Sequence, residues 1–151
     1  MKAVIQRVSS ASVVVDNKTV SSIDAGFLIF LGVTHDDTLK DVEILVKKII
    51  NMRIFCDENG KMNLPITSVN GKIIVVSQFT LHADCTHGNR PSFINAAKKD
   101  LAEHLYNKFI EEINKAGINA YGGIFAADMK INLVNNGPVT IIIDSENLTK
   151  K

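Results

Sequence analysis

Two hydroxyl-bearing residues, Ser77 and Thr80, invite a nucleophile hypothesis. They follow the apolar run Ile73-Ile74-Val75-Val76, which reads as a buried strand and passes without interruption into Ser77-Gln78-Phe79-Thr80-Leu81. If the strand continues, side chains alternate, so Ser77 and Phe79 share one face while Gln78 and Thr80 share the other. Both hydroxyls cannot then serve one pocket without a bulge. A hydroxyl nucleophile also needs a base within hydrogen-bond reach, and no local His-Ser or Lys-Ser arrangement identifies one. By spacing alone, a structural role for these hydroxyls weighs equally.

A second cluster begins immediately downstream, where His82, Asp84, Cys85 and His87 bring four potential zinc ligands close together in sequence. The spacing matches no common zinc signature, and neither HExxH nor paired CxxC occurs elsewhere. Structural use of these side chains is the expectation, with no metal and no cofactor. His35 reads as a turn residue and His104 as a helix-surface residue. The absence of GxGxxG and GxxxxGK[ST] removes the usual cradles of dinucleotide and P-loop phosphate chemistry. Asn136-Gly137-Pro138 has turn-forming chemistry, and sequence does not reveal the isomer of the Gly137-Pro138 bond, since cis X-Pro accounts for only about 5–6% of cases.

The elements that must position these residues are legible in part. Lys2 to Ser12 and its continuation to Val15 read as β, Asp16-Asn17-Lys18 as a turn, Thr19 to Ile23 as the return, and Asp24-Ala25-Gly26 as a second turn. Phe27 to Val33 has the continuous apolar character of a strand buried on both faces, making four opening strands. Leu39, Val42, Val46, Ile49 and Ile50 recur at helical spacing behind Asp37 or Thr38 as cap. Arg53 to Cys56 reads as a short strand, followed by a turn at Asp57-Glu58-Asn59-Gly60, a break at Pro65 and a reversal at Asn70-Gly71. After the central strand, His82 to Asn95 is a long loop. A second helix follows from about Asp100 through Leu101, Leu105, Phe109 and Ile113 to Gly117. Tyr121 to Phe125, Met129 to Val134 and Val139 to Ile143 read as closing strands, the last two joined by a turn at 135–138. Hairpins at both ends with a helix in each half predict an α+β fold, with α/β as the alternative: a mixed, largely antiparallel sheet with two main helices.

At 151 residues the chain fits one domain, expected to span 1–151, with 46% hydrophobic and 22% charged residues arguing against disorder. No apolar run approaches a membrane span and no signal-peptide layout opens the chain, so a cytoplasmic protein without membrane contact is expected. Cys56 and Cys85 read as free thiols. A net charge of +1 gives no broad basic footprint, so any RNA contact is expected to be local. The basic pairs Lys47-Lys48 and Lys98-Lys99 read as solvated helix faces.

At Ser77-Gln78-Phe79-Thr80-Leu81 and Asn135-Asn136-Gly137-Pro138-Val139-Thr140 the chain resembles the D-aminoacyl-tRNA deacylases, once called D-tyrosyl-tRNA deacylases. Ala3-Val4-Ile5-Gln6-Arg7-Val8, Lys61-Met62-Asn63-Leu64, Gly88-Asn89-Arg90-Pro91-Ser92-Phe93 and Phe125-Ala126-Ala127-Asp128-Met129 look like further segments of that family, in family order over nearly the whole length. Asn136 departs from the pattern, where Asp is more usual. The resemblance implies a homodimeric esterase for chiral proofreading in translation, with aminoacyl-tRNA as partner through its 3′-terminal adenosine and D-amino acid. It implies that the Gly137-Pro138 segment, with a cis peptide bond, enters the active site of the other subunit. There the Gly137 and Pro138 carbonyl oxygens would leave room for a D side chain and none for an L one.

Rejection of this kind predicts that glycyl-tRNA, including glycine mischarged on tRNA for alanine, is also cleaved. The expected chemistry is attack of water on the ester, with backbone N–H groups near Phe79 and Thr80 meeting the oxyanion. The substrate's ribose 2′-hydroxyl would assist, as the family's proposed mechanism suggests, and Thr80 as covalent nucleophile is the competing route. Gln78 is carried over as a residue holding the site, Phe125 and Met129 as contacts of the terminal adenine, and Arg7 as a brace for the inserted Gly-Pro loop. A non-catalytic binder of tRNA ends and a metal-dependent hydrolase built on His82, Cys85 and His87 are the rival functions.

Overall fold

The computed structural model describes residues 1–149. Its first strand, β1 (Lys2–Val15), is β-branched or small through most of its length and turns at Asp16-Asn17, both with positive φ (49° and 61°). That backbone matches the twist of a tight hairpin and returns the chain as β2 (Lys18–Ile23). β3 (Gly26–Gly32) continues down the same edge of β1: Ala11 faces Ile23, and Val8 faces Gly26. Three strands therefore open the chain where four were expected. Ser12 does not end the first, because it is paired on both sides, with Ser22 and with Asn132.

β3 pairs in parallel with β6 (Lys72–Ser77), and β6 in parallel with β7 (Ala120–Gly122). Gly26 permits the first of these contacts: a Cβ there would lie 1.8 Å from the Lys72 carbonyl oxygen. Along the other edge of β1 runs β8 (Lys130–Asp144), antiparallel throughout. A two-stranded hairpin, β4 (Phe55–Cys56) and β5 (Met62–Leu64), stands apart from this mixed sheet. The fold is α+β.

Two apolar layers flank the central strands. Ala3, Ile5, Phe27, Ile29, Ile73 and Val75 face α1 (Leu39–Ile50) and α2 (Lys99–Lys115), which bury Leu45, Ile49, Leu105 and Phe109 against them. Val8, Ala11, Val13, Leu28, Ile74 and Val76 form the opposite layer. A strict two-residue period from Ile5 would send Val13 to the helix side. The ladder to β8 slips between Val8 and Ser10, and this extra residue turns the later odd-numbered positions to the other face. β3 and β6 are thereby covered on both sides.

The helices begin slightly differently from the sequence reading. Thr38 caps α1, while Asp37 is buried and accepts a hydrogen bond from the Met1 ammonium at 2.5 Å. Leu39 is largely exposed and Leu45 is fully buried in the helix's core-facing stripe. α2 starts at Lys99, so Asp100 sits in its first turn instead of capping it. Gly117, at φ +85°, lies just past the end of α2. The short C-terminal α3 (Ser145–Thr149) packs on α1.

The largest correction concerns the closing strands. β7 stops at Gly122, so 123–127 leave the sheet, and β8 is one strand where two and a turn were expected. Lys130 to Val134 pair with Val14 to Ser10, and Thr140 to Asp144 with Gln6 to Lys2, all antiparallel. Both halves of β8 thus run the same way along one partner, and the Asn-Gly-Pro segment bulges from the strand without reversing it.

Asp41 ties α1 to both chain ends. Its carboxylate accepts from the Thr38 N–H (2.9 Å), the Thr38 hydroxyl (2.9 Å) and the Ser145 hydroxyl (2.8 Å). Burial raises its pKa, but the bonds from Ser145 and Thr38, with the nearby N-terminal ammonium, hold it below the ordinary value. A depressed folded-state pKa contributes stability above the unfolded value and loses it as pH falls through the folded one. Asp41→Asn is therefore expected to cost roughly 1 kcal/mol at neutral pH. Urea denaturation should show the gap from the parent closing as pH drops below about 3.9.

Candidate active site

Ser77 is the last residue of β6, paired with Leu31, and the Gln78 N–H still donates to the Leu31 carbonyl (2.9 Å). The backbone then coils into a 3-10 turn over Phe79–His82. The extended alternation expected for 77–81 accordingly ends at Ser77. Leu81 donates the first bond of the turn, to Gln78 (3.3 Å), so the N–H groups of Phe79 and Thr80 precede the turn's own hydrogen bonding. The Gln78 side-chain amide donates to the Thr80 hydroxyl at 2.5 Å. An amide is not a base, and no imidazole, amine or carboxylate hydrogen-bonds to that hydroxyl among the described residues.

Ser77, Gln78 and Phe79 form one wall of a cavity of about 550 Å³. Its floor is Leu31, Val33 and Val76, and its far wall comes from Phe125, Ala126, Ala127 and Met129, with Ala97, Lys99 and Ala102 at the start of α2 closing one side. Thr80 is exposed beside the cavity and is not part of its lining. Phe79 is 55% exposed and meets Phe93 edge-on, centroids 5.0 Å apart. Ala126 holds φ at +62°, a left-handed conformation that is costly for a residue with a Cβ, within the wall that faces Ser77. The site is thus an apolar chamber with a polar strand end at its rim, the usual layout of a small-molecule pocket.

Gly137 and Pro138 do not line this cavity, and neither does Arg7. The Gly137-Pro138 peptide bond is cis, and both residues are exposed in the bulge of β8. Arg7, 7% exposed, faces that bulge from β1: Nε donates to the Asn136 carbonyl (2.9 Å) and Nη1 to the Ile54 carbonyl (2.6 Å). It braces the Gly-Pro segment of its own chain. Asn135 completes the frame, its Oδ1 accepting from the Val139 N–H (2.9 Å) and its Nδ2 donating to the Thr140 hydroxyl (3.1 Å). Sequence reasoning missed Asn135 and Thr140 as bracing residues, because a bridge across five positions only makes sense once a bulge replaces the turn. The unusual Asn136 contributes its backbone carbonyl to this frame.

The His82 cluster is not assembled as a ligand set. Asp84 accepts from the Thr86 N–H (2.9 Å) and hydroxyl (2.6 Å), which hold its pKa below the ordinary value. His82 packs on Gly32 and faces a different cavity, lined also by Met1, Asp37 and Asp41. Cys85 and His87 are exposed, and no three His, Cys, Asp or Glu side chains are grouped to hold a metal among the described residues. Both cysteines are free. No helix is long and apolar enough to cross a membrane among the described residues.

Residues 4–144 match the family described as D-Tyr-tRNA(Tyr) deacylase. The chain is 53% identical over its full length to the whole of a D-aminoacyl-tRNA deacylase from Fusobacterium nucleatum. It is 51% identical to one from Clostridioides difficile, with 96% of this chain and 97% of that protein covered. Among solved structures it is similar to the c-Myc DNA Unwinding Element Binding Protein, at TM-score 0.89 and 40% identity, covering 95% of this chain and 98% of the other.

The Arg7 frame yields a stability prediction. Lysine keeps the charge but lacks the planar fork that reaches two carbonyls at once. Arg7→Lys should lower the unfolding free energy by about 1–3 kcal/mol in urea denaturation, and an unchanged midpoint would show that the brace carries no load.

Proposed function

Because the chain belongs to the D-Tyr-tRNA(Tyr) deacylase family, we propose that the cavity between Ser77 and Met129 receives the aminoacylated 3′ end of a tRNA and that water cleaves the ester there. Hydrolysis of D-aminoacyl-tRNA to free tRNA and amino acid is the activity of the family, and the match over residues 4–144 is the observation that carries it. The apolar chamber suits the terminal adenine, with Phe125 and Met129 as its contacts, and the rim at Ser77-Gln78-Phe79 suits the ester.

As water adds to the ester carbonyl, negative charge grows on the carbonyl oxygen and must be met by donors already in place. The Phe79 and Thr80 N–H groups, ahead of the first bond of the 3-10 turn, are suited to that role. With an amide as the hydrogen-bonding partner of Thr80, its hydroxyl lacks the activation a covalent nucleophile needs. The substrate's ribose 2′-hydroxyl then assists the water, and Gln78 holds the turn through Thr80.

Chiral selection is assigned to a second copy of the chain. Gly137 and Pro138 lie outside the cavity of their own subunit, while the outer edge of β8 has no strand partner among the described residues and exposes Val134 and Ile142. An unpaired apolar edge is a natural docking surface for another copy. In the resulting homodimer the Gly137 and Pro138 carbonyl oxygens face the α-carbon of the substrate held by the partner. A main-chain wall excludes an L side chain sterically, where a yielding pocket would discriminate by only about 1–3 kcal/mol per methylene. Glycine presents nothing to exclude, so glycyl-tRNA is a substrate, and cytoplasmic translation is the setting.

Deacylation of D-tyrosyl-, L-tyrosyl- and glycyl-tRNA by the purified protein, with and without a chelator, tests this reading. Cleavage of the first and third with L-tyrosyl-tRNA spared, unaffected by the chelator, is the expected pattern. Resistance of glycyl-tRNA would sink the rejection mechanism, and loss of activity on chelation would return attention to His82, Cys85 and His87. Thr80→Ala should retain turnover within about an order of magnitude of the parent. A covalent nucleophile would instead lose roughly 10⁴-fold or more.

A further inference from the structure

Tyr106, on α2, is 4% exposed and lies beneath the site without touching its cavity. Its hydroxyl donates to the Val75 carbonyl (2.8 Å) and accepts from the Gly123 N–H (3.1 Å). The same Gly123 N–H lies 3.3 Å from the Val75 carbonyl. Val75 and Gly122 are the last residues that β6 and β7 pair, and this Gly123-to-Val75 hydrogen bond is the last rung of that parallel ladder. The phenol oxygen stands at this rung and shares both groups. Beyond it the chain departs from the sheet to build the wall of Phe125, Ala126 and Ala127, and the Tyr106 ring packs on Phe125 with centroids 5.8 Å apart.

We propose that Tyr106 is a positioning residue for deacylation: its hydroxyl bridges both groups of the last β6–β7 rung and thereby fixes the distance between the Phe125 wall and the Ser77-Gln78-Phe79 wall. The space between those walls is where the terminal adenosine binds, so the proposal rests on the function assigned above. Burial pushes the phenol pKa up to about 12, so the hydroxyl stays a donor at every pH the enzyme meets. Gly122 belongs to the same device, since a Cβ there would lie 2.6 Å from the Tyr106 hydroxyl oxygen. Without the hydroxyl, the departure of the chain at Gly123 is held only by its 3.3 Å bond to Val75, and the far wall shifts relative to the near one.

Tyr106→Phe removes only the oxygen. Steady-state kinetics on D-tyrosyl- and glycyl-tRNA, affinity for adenosine 5′-monophosphate as a probe of the adenosine site, and the thermal midpoint together test the proposal. The expected result is KM raised about three- to ten-fold for both esters, adenosine monophosphate weakened by a similar factor, and kcat little changed. A lowered midpoint with KM and nucleotide affinity unchanged would reduce Tyr106 to a core residue and overturn the proposal, as would a fall confined to kcat. If Tyr106→Phe does not fold, Gly122→Ala presses on the same hydroxyl and should raise KM in the same way, and an unchanged KM there overturns the proposal too. Parent enzyme that cleaves D-tyrosyl-tRNA but does not bind the nucleotide would instead overturn the adenosine assignment, and the proposal with it. Equal nucleotide binding by parent and variant removes the role of Tyr106 alone.

Discussion

The long pairing of β1 with β8, broken only around Arg7 and Ser9, is the constraint on which the rest depends. Ten of the fourteen residues of β1 are paired on both edges, with β2 or β3 on one side and β8 on the other. Such a ladder satisfies nearly every backbone group it contains, so any residue that leaves it must find partners elsewhere. Residues 136–139 leave it, opposite Arg7 alone. Their accounts are settled by the Arg7 guanidinium at the Asn136 carbonyl and by the Asn135 side chain at the Val139 N–H. A bulge tied down at both ends in this way is a fixed projection from the ladder, as the steric selector proposed for Gly137 and Pro138 has to be.

The same economy shapes the cavity. β6 is buried on both faces and flanked by parallel partners, and it can end in a functional rim only where both partners stop. β3 stops at Gly32 and β7 at Gly122, leaving Gln78 with one last bond to Leu31 before the chain coils. N–H groups at the head of that coil are free of the ladder because of where the neighbouring strands end. The slip in β1 past Val8 contributes from the other side: it turns Val13 beneath Leu28 and Ile74, completing the second apolar layer with which Met129 and Ile131 pack.

How much of this was legible in the sequence follows from which forces acted locally. Asp16-Asn17 announced its hairpin because a tight turn demands residues that tolerate positive φ, and Ile73 to Val76 announced a central strand because both of its faces are apolar. Ser77, Gln78, Phe79, Phe125 and Met129 were singled out, and the structure does gather them around one cavity. The continuation of the strand through Thr80 was wrong, since nothing in Ser77 to Leu81 records that β7 ends at Gly122. The turn at Asn135 to Pro138 was wrong for a related reason: Asn-Gly-Pro favours departure from a ladder, and only the long-range partner decides whether the chain reverses or resumes. Tyr106 was invisible as a positioning residue, its spacing being that of any core position on α2.

The distance between the two specialised segments carries a last consequence. Met129 and Ile131, at the cavity, precede Gly137 along β8 by six residues or more, which in an extended strand amounts to roughly 20 Å. The strand is hydrogen-bonded to β1 on either side of the bulge, so it cannot fold back to bring the Gly137 carbonyl to an ester held beside Ser77. A carbonyl wall acting on that ester has to come from another molecule, and the exposed outer edge of β8 offers the place for one to dock. In the proposed homodimer the selector and the donors stand on different chains, which separates two demands that conflict in one: the wall must be stiff enough to refuse an L side chain, while the chamber must admit and release a nucleotide. In this arrangement the rigidity belongs to the β1–β8 ladder of one copy and the opening to the Phe125 wall of the other.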